Sequence, residues 1–341
     1  MSKLEASGKS PIIIAEVGVN HNGDLDLAMK LIDLATAAGA DIVKFQTFSA
    51  NKLAIPDALQ ATYQTENTGK VQTQKDLLKP LELTMEMHTR IIKKCHERGI
   101  EFLSTAFDLD SLEFLIKMGI RRVKIPSGEI TNLPYLEKCG KSNLPIILST
   151  GMATLIEVQA AVKILLSNGA DKNNITVLHC TSSYPTKSCE LNMSAISTLQ
   201  NHLGLNIGYS DHSSGAGAAI MAVALGATVI EKHITTNKKL DGPDHVASME
   251  PDEFCNYVET IRKSSISMGD GKKTPSRSEK NNIVFARKSI VASRTIEKGE
   301  AFSSENLDIK RPGLGINPMQ WYNIIGKVAK RDFNLDEMIE I

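Results

Sequence analysis

The sequence predicts an α/β fold, a TIM (β/α)8 barrel followed by a small β-rich domain, and three observations support this. Eight strand-like runs alternate with helical segments over about 270 residues, a pattern that favours a TIM barrel over a doubly wound sheet. The helical segments end near glycine, as left-handed C-caps do. No Gly-x-Gly-x-x-Gly turn follows the first strand, and Gly215-x-Gly217 has Ile220 in place of the third glycine. We therefore exclude a dinucleotide-binding sheet.

Apolar runs and helical periodicity place the individual elements. The predicted strands are Pro11–Glu16, Asp41–Gln46, Glu101–Thr105, Arg122–Ile125, Pro145–Ser149, Thr176–His179, Asn206–Tyr209 and Thr228–Lys232. The predicted helices include Leu25–Ala38, Met85–Arg98, Leu109–Met118, Leu155–Ser167, a segment within Gly215–Gly226, and Pro251–Ser267. The helix-end glycines are Gly39, Gly99, Gly119, Gly169, Gly204 and Gly226. The long polar connection from Thr47 to Leu83 is either a lid over the barrel face or a disordered insertion.

The periodicity changes after Gly269, and this predicts three segments. We expect a barrel domain over residues 1–269, an exposed linker over 270–285 and a small domain over 286–341. The last segment contains short β-like pieces and turns. About 55 residues fold alone only marginally, so we expect the small domain to dock on something else.

Composition excludes several classes of partner. Lys plus Arg equals Asp plus Glu, 39 each, so no global field attracts nucleic acid or anionic lipid. A single Trp argues against a stacking platform for single strands. No apolar run approaches the roughly 20 residues of a membrane span, and the N-terminus is polar, so we expect a cytoplasmic protein. The five cysteines include no CxxC pair, which indicates reduced thiols.

Two successive strand-like runs end on histidine, and this predicts a metal site. The runs ending at His212 and His233 flank a helical segment, so they form a βαβ unit with parallel, neighbouring strands. Strands roughly 4.8 Å apart allow two imidazoles at matching ends to bind one ion. Two imidazoles are too few for a closed structural site, so water and substrate would complete the shell. We expect Mn²⁺, with Mg²⁺ or Co²⁺ as alternatives.

Further polar groups collect at the C-terminal strand ends, where TIM barrels place their active sites. One lysine and three hydroxyls offer a charge and donors that can hold a phosphate without a P-loop. These residues are Lys124, Ser127, Ser149 and Ser210.

Two glutamates at these strand ends are candidates for binding substrate hydroxyls or moving protons. They are Glu16 and Glu129, and each lies near a lysine in the predicted barrel. The alternative is that they form salt bridges to Lys44 and Lys124. Among the other histidines, we expect His21 to order the loop after the first strand, and we expect His88 to be solvated.

Motifs along nearly the whole chain resemble those of one family. They are AEVGVNHNG (15–23), VKFQTF (43–48), KIPSGE (124–129), LSTGM (148–152), HCTSSYP (179–185), GYSDHSSG (208–215), EKH (231–233) and GPDH (242–245). With these motifs the chain resembles the bacterial sialic acid synthases (N-acetylneuraminate synthases) from residue 11 onward. KRPGLGI (310–316) resembles the C-terminal antifreeze-like (SAF) domain of those enzymes.

The resemblance implies condensation of phosphoenolpyruvate with N-acetylmannosamine and water, giving N-acetylneuraminate and phosphate. It implies that His212 and His233 are the metal ligands. The implied phosphoenolpyruvate site is Lys124, Ser127, Ser149 and Ser210. The implied groups around the acceptor sugar are Glu16, Lys44, Gln46, Tyr184 and Asp244. Arg311 resembles the arginine that the SAF domain extends into the partner's barrel within a homodimer, where it contacts the N-acetyl group.

From these matches we assign functions to the whole site. The catalytic candidates are Glu16, Lys44, Lys124, Glu129 and Tyr184, with Glu16 or Glu129 deprotonating the attacking water. The substrate-binding candidates are Gln46, Ser127, Ser149, Ser182, Ser210, Asp244 and Arg311. Ser182 departs from the asparagine of some family members, and a hydroxyl cannot replace both groups of an amide. The contact at Ser182, and with it the sugar preference, therefore stays open.

Three alternatives to the sialic acid reading are kept. The acceptor could be 2,4-diacetamido-2,4,6-trideoxymannose, which would give legionaminic acid, since these synthases share the barrel motifs. Lys124 could instead form a Schiff base in a metal-independent aldolase or lyase. The SAF-like segment could also be a carbohydrate- or ice-binding module in a protein that is not an enzyme.

Overall fold

Eight parallel strands close into a barrel in the order β1 to β8, which confirms the predicted fold class. The structure, a computed structural model, describes residues 10–341 apart from the side chains of Tyr63 and Glu66. Residues 1–9, part of the polar N-terminus considered above, lie outside this range. The strands are β1 (Ile12–Gly18), β2 (Ile42–Thr47), β3 (Glu101–Ala106), β4 (Val123–Ile125), β5 (Ile146–Ser149), β6 (Ile175–Cys180), β7 (Asn206–Asp211) and β8 (Val229–His233).

Helices follow the strands and cover the outside of the barrel. They are α1 (Leu25–Ala37), α2 (Ala50–Leu53), α3 (Thr62–Thr68), α4 (Gln74–Leu78), α5 (Met85–Arg98), α6 (Leu109–Lys117), α7 (Leu133–Gly140), α8 (Leu155–Ser167), α9 (Ala195–Leu203), α10 (Gly217–Ala224) and α11 (Pro251–Met268). Short 3-10 helices occur at Lys79–Leu81, Ser127–Glu129, Lys172–Asn174, Ser188–Glu190 and His245–Ala247. All six predicted helix-end glycines have positive φ, between 59° and 105°.

The long connection between β2 and α5 contains α2, α3, α4 and a 3-10 helix, so it is folded rather than a disordered insertion. The side chain of Thr73 caps α4 by accepting a hydrogen bond from Asp76 N. Gly23, in the loop after β1, faces this connection. A Cβ at Gly23 would lie 2.3 Å from Pro80 O, and its φ is +73°, so only glycine fits there.

The barrel interior changes from apolar to polar or charged toward the C-terminal ends of the strands. Inward-facing residues alternate with outward-facing ones, so two positions separate successive interior layers. The lower layer is entirely apolar: Ile14, Ile42, Leu103, Ile147, Leu178 and Val229. Two residues further along the strands the inward positions become charged, with Glu16 on β1, Lys44 on β2 and Glu231 on β8. The alternation therefore directs the charged side chains to the C-terminal end of the barrel.

A second compact unit begins at Gly271 and contains α12 (Arg277–Ala286), β9 (Ser289–Ala292), β10 (Leu307–Lys310), a 3-10 helix (Pro318–Gln320) and α13 (Trp321–Ile324). β9 and β10 pair antiparallel. Its own apolar core consists of Ile290, Ala292, Ile296, Phe302, Leu307, Ile324, Ala329, Phe333 and Ile339. The structure differs from the predicted linker over 270–285 in two respects. The second unit already begins at Gly271, and α12 occupies most of the second half of the predicted linker, because Ser276 and Glu279 form a capping box at its start.

None of the helices between residues 10 and 341 combines the length and apolar composition that a membrane crossing needs.

Gly208 of β7 faces the apolar interior layer and generates a stability prediction. A Cβ there would lie 2.5 Å from Leu178 Cδ2 and 2.6 Å from Val229 O, and the carbonyl cannot move without disturbing β8. Gly208→Ala should therefore lower the free energy of unfolding by about 1–3 kcal/mol in urea titrations, the usual cost of overpacking. Gly217→Ala is the control, because among residues 10–341 no atom other than those of its chain neighbours and its own helix backbone lies within 4 Å of a Cβ at Gly217. Equal stabilities of the two variants would contradict this account.

Candidate active site

Two lysines and two glutamates form a buried ion cluster inside the C-terminal end of the barrel. Lys44 Nζ lies 2.8 Å from Glu16 Oε2 and 3.6 Å from Glu231 Oε2. Lys124 Nζ lies 3.6 Å from the other oxygen of Glu231. These side chains are at most 6% exposed, so each charge is compensated by its neighbours rather than by solvent. Glu231 thus bridges the two lysines.

Hydroxyl groups complete the surroundings of this cluster. Lys124 Nζ donates a hydrogen bond to Ser149 Oγ (2.7 Å), and Ser210 Oγ donates to Glu231 Oε1 (3.0 Å). Lys44 Nζ donates to Thr105 Oγ1 at 3.1 Å. The structure therefore brings together the predicted lysines and two of the three serines assigned to phosphate binding.

The two carboxylates of the cluster have different proton affinities. Burial raises the pKa of Glu16 to about 7, although the charge of Lys44 opposes this. Burial also acts on Glu231, but there the positive charges of Lys124 and Lys44 outweigh it and hold the pKa at about 2. Gln46 Nε2 donates to Glu16 Oε1 at 3.2 Å. Glu16 is thus the carboxylate suited to proton transfer near neutral pH.

The two predicted metal ligands lie side by side at the ends of β7 and β8. The ring centroids of His212 and His233 are 5.6 Å apart. His212 Nδ1 lies 2.7 Å from Thr181 O, and because a carbonyl only accepts, Nδ1 carries the proton and Nε2 keeps its lone pair. Burial lowers the pKa of His212 to about 4 and that of His233 well below its ordinary value. Both imidazoles are therefore neutral at pH 7, the form that binds a metal.

These residues fit a divalent ion with an open coordination shell. His233 Nδ1 is buried without a hydrogen-bond partner, and Asp244 Oδ2 is 3.9 Å away. Within residues 10–341, no group of three or more His, Cys, Asp or Glu side chains is arranged to hold a metal. The described residues thus place two neighbouring imidazoles at this position, and a bound ion would take water and substrate in its remaining positions. The metal itself stays a prediction.

Tyr184 and Asp244, both assigned from the resemblance, lie next to the histidine pair. The Tyr184 ring centroid is 4.2 Å from that of His212 and 5.9 Å from that of His233. Asp244 is 9% exposed, and burial raises its pKa to about 6, although Lys44 opposes this.

A small polar cradle lies between the ends of β4, β5 and β6. Gly151 N donates to Ser127 Oγ at 2.9 Å, and Ser127 Oγ lies 3.4 Å from Cys180 Sγ. A Cβ on Gly151 would lie 2.3 Å from Ser182 Oγ and 2.9 Å from Ser127 Oγ. A side chain at Gly151 would therefore fill the space that these two hydroxyls face.

One assigned residue of the barrel lies outside the ion cluster, and another belongs to the second unit. Glu129 is buried, but it accepts a hydrogen bond from Asn132 Nδ2 (2.5 Å) within the turn that leads into α7. The alternative of a Glu129–Lys124 salt bridge does not occur, whereas the Glu16–Lys44 salt bridge does. Arg311 belongs to the second unit, where it is exposed and its Nε donates to Ala286 O at 3.1 Å.

The assignment from sequence omitted Glu231, Thr105, Cys180 and Gly151. The sequence does predict that the Glu231 side chain faces the barrel interior, since Glu231 lies two residues before His233 on the same strand. Strand alternation likewise places the side chains of Thr105 and Cys180 on the inner face of the barrel, but it does not indicate which groups they contact there. The expectation for His21 is confirmed, because its Nδ1 accepts from Gly23 N at 3.0 Å.

The expectation for His88 is wrong. Its side chain is 1% exposed and lies against the outside of the barrel, 2.8 Å from Thr47 Oγ1 and 2.8 Å from Thr84 O. The position of His88 on its helix does not show that one hydroxyl and one carbonyl are available to its ring on the buried side of α5.

Comparison with known proteins assigns this architecture to a family. Residues 31–273 match the model of the NeuB family, and residues 287–340 match that of the SAF domain. The chain belongs to the NeuB family. It is 48% identical over 331 residues to the N,N'-diacetyllegionaminic acid synthase of Campylobacter jejuni, covering 97% of this chain and 99% of that protein. It is 46% identical to the enzyme of the same name from Legionella pneumophila, covering 95% and 92%.

A solved structure of another relative shares the fold. The sialic acid synthetase of Leptospira borgpetersenii, crystallised with citrate, superimposes with a TM-score of 0.71 at 36% identity, covering 81% of this chain and 90% of that one. The NeuB relatives are thus sugar acid synthases that differ in the product that they are named for. The family supports an enzyme of this kind, and the non-enzymatic alternative falls away.

The ion cluster generates a stability prediction. Lys44→Met removes one of the two cations and leaves Glu16 and Glu231 with less compensation in a buried site. We expect its free energy of unfolding at pH 7, measured by urea titration, to fall by about 3–5 kcal/mol. The control is Lys52→Met, which removes an exposed lysine paired with Asp110 and should leave the unfolding midpoint unchanged. A Lys44→Met protein as stable as Lys52→Met would contradict the role given to the cluster.

Proposed function

We propose that this NeuB-family chain is an N,N'-diacetyllegionaminic acid synthase. It condenses phosphoenolpyruvate with 2,4-diacetamido-2,4,6-trideoxymannose and water, and it releases phosphate. The observation that carries this choice is the 48% identity, over 97% of the chain, to the Campylobacter synthase of that name. N-Acetylmannosamine, our first expectation for the acceptor, has weaker support, since the Leptospira sialic acid synthetase is 36% identical.

The two anionic groups of phosphoenolpyruvate find suitable partners in the buried cluster and the cradle. Lys124 supplies a charge and Ser149 a hydroxyl at 2.7 Å from it. The hydroxyl of Ser127, to which Gly151 N donates, is a second hydrogen-bond donor for an anionic group. A side chain at position 151 would block access to it. Burial lowers the pKa of Lys124, so binding of a highly charged anion would favour its protonated form.

His212 and His233 are the residues that would hold a divalent ion, with Asp244 beside His233. When bound, such an ion supplies Lewis-acid polarisation of the acceptor's aldehyde. Tyr184, at 4.2 Å from His212, closes one side of this position and limits how the sugar chain can lie. The proposed acceptor thus enters between the histidine pair and the buried cluster.

The bond changes follow from the positions of the two substrates. C3 of phosphoenolpyruvate forms the new carbon–carbon bond to the aldehyde carbon, which leaves a cation at C2. The carboxylate of Glu231 and the bound phosphate stabilise that positive charge. Water adds to C2 and gives one proton to Glu16, which passes it to the alkoxide formed from the aldehyde oxygen. The tetrahedral adduct then breaks its C2–O bond, the C2 hydroxyl becomes the ketone, and its proton leaves with the phosphate. Atoms balance, because one water enters and one phosphate leaves.

The proton transfer to Glu16 generates a kinetic prediction. Glu16→Gln should slow phosphate release in single-turnover experiments by about tenfold or more, because an amide cannot accept the proton. Glu129→Gln is the comparison, since Glu129 bonds Asn132 and does not belong to the ion cluster. If only Glu129→Gln slows the step, Glu129 is the base. If neither variant slows it, the general-base hypothesis is abandoned.

The acceptor is tested by phosphate release from phosphoenolpyruvate after chelation, with Mn²⁺ added back and each sugar supplied in turn. We expect metal-dependent release with the diacetamido sugar at a kcat/KM at least about tenfold above that with N-acetylmannosamine. Reversed preference would make the chain a sialic acid synthase. Chelator-resistant turnover, with pyruvate trapped on Lys124 by borohydride, would instead support the Schiff-base aldolase.

We also retain the proposal that the SAF domain acts in trans within a homodimer, with Arg311 contacting the acceptor's N-acetyl group. Two observations support it: residues 287–340 match the SAF domain, and the Arg311 side chain is exposed.

A further inference from the structure

A second buried ion pair lies on the outer face of the barrel, directly behind the two histidines. Asp211 and Lys232 are adjacent across β7 and β8, and Lys232 Nζ lies 3.5 Å from Asp211 Oδ2. Their side chains are 0% and 1% exposed. Each residue precedes one histidine of the pair, so the strand alternation points the charges outward and the imidazoles inward. The proposed mechanism does not use this pair.

Asp211 shapes the chain at His212. Its Oδ1 accepts hydrogen bonds from Ser213 N (2.8 Å) and Ser213 Oγ (2.6 Å), so the carboxylate closes a turn around His212. Its Oδ2 accepts from the hydroxyl of Tyr257, on α11, at 2.8 Å. The direction in which the backbone presents the His212 ring therefore depends on the position of this carboxylate.

Lys232 joins the same turn to β8. Its ammonium group donates to the carbonyl of Ser213, besides pairing with Asp211. It also lies 5.7 Å from the centre of the Tyr257 ring, within the range of a cation–π contact. One side chain next to His233 thus contacts the residues on both sides of His212.

A buried ion pair is weak evidence for stability, because apolar residues of the same size often serve as well. Groups that hydrogen-bond metal ligands orient them, and their loss typically reduces metal affinity by about 10–100-fold. The Asp211–Lys232 pair holds the backbone turn around His212 rather than the imidazoles themselves. We propose that the Asp211–Lys232 pair positions His212 and His233 as ligands of one divalent ion. This inference rests on the proposed function, since it deepens the metal site assigned there.

The experiment measures Mn²⁺ binding directly, by calorimetric titration of metal-stripped protein, together with thermal unfolding of the metal-free form. Lys232→Met leaves the Asp211 charge buried and unpaired, so both stability and affinity should fall. In the double variant Asp211→Asn/Lys232→Met no unpaired charge remains. We expect its unfolding midpoint to recover toward that of the wild type, while its Mn²⁺ affinity stays at least about tenfold lower.

The matched control is Lys263→Met. Lys263 pairs with Glu259 at 2.6 Å, both residues belong to α11, and both side chains are exposed, so this variant removes a paired lysine from the same helix at its solvent-facing side. Its Mn²⁺ affinity should stay within about twofold of the wild type. If the ion pair contributes only to stability, the Mn²⁺ affinity of the double variant should recover together with its unfolding midpoint. A double variant with wild-type Mn²⁺ affinity would therefore overturn the inference.

A variant with a smaller change keeps the test decisive if the charge variants do not fold. Tyr257→Phe retains both charges and removes one hydrogen bond from Asp211, and it should weaken Mn²⁺ binding by about threefold or more. Unchanged binding in Tyr257→Phe, with the charge variants unfolded, would overturn the inference. Absence of Mn²⁺ binding in the wild type would instead overturn the proposed metal site itself, and the positioning inference with it.

Discussion

Inside the barrel, the carboxylate of Glu231 lies 3.6 Å from each of two buried ammonium groups, those of Lys44 and Lys124. Burying any of these charges alone would cost several kcal/mol, so the group exists only as a set, with Glu16 as the second anion. It ends the apolar interior of the barrel and forms the base of the candidate site. Four neighbouring side chains hydrogen-bond to it, those of Ser149, Ser210, Thr105 and Gln46.

Because side chains alternate between the two faces of a strand, β7 and β8 carry one group of polar residues on the inner face of the barrel and another on the outer face. On the inner face they carry Ser210, Glu231 and the two histidines, and on the outer face they carry the Asp211–Lys232 pair braced by α11. A side chain at a strand end is held on a rigid element, so its position is more precise than that of a loop residue. Strand geometry therefore fixes the positions of the groups that the proposed mechanism uses.

The proposed acceptor groups are held differently, since several belong to loops. Asp244 lies in the connection between β8 and α11, and this connection is tied to α3 of the long β2–α5 segment by a hydrogen bond from Asn67 Nδ2 to Pro243 O (2.7 Å). Loops tolerate change more readily than barrel strands do. The proposed acceptor contacts of Tyr184 and Asp244 therefore depend on loops as well as on the barrel strands.

Periodicity and capping are local properties of the chain. The barrel, the left-handed conformation of the six helix-end glycines and the polar residues at the strand ends could therefore be predicted from sequence. The family followed from motifs placed along that barrel. Only the tertiary structure showed that Glu231 bridges two lysines and that His88 is buried. These facts depend on which side chains meet across strands and helices far apart in the chain. Local sequence patterns predict the direction in which a side chain points, but its interaction partner depends on which other segments of the chain pack against it.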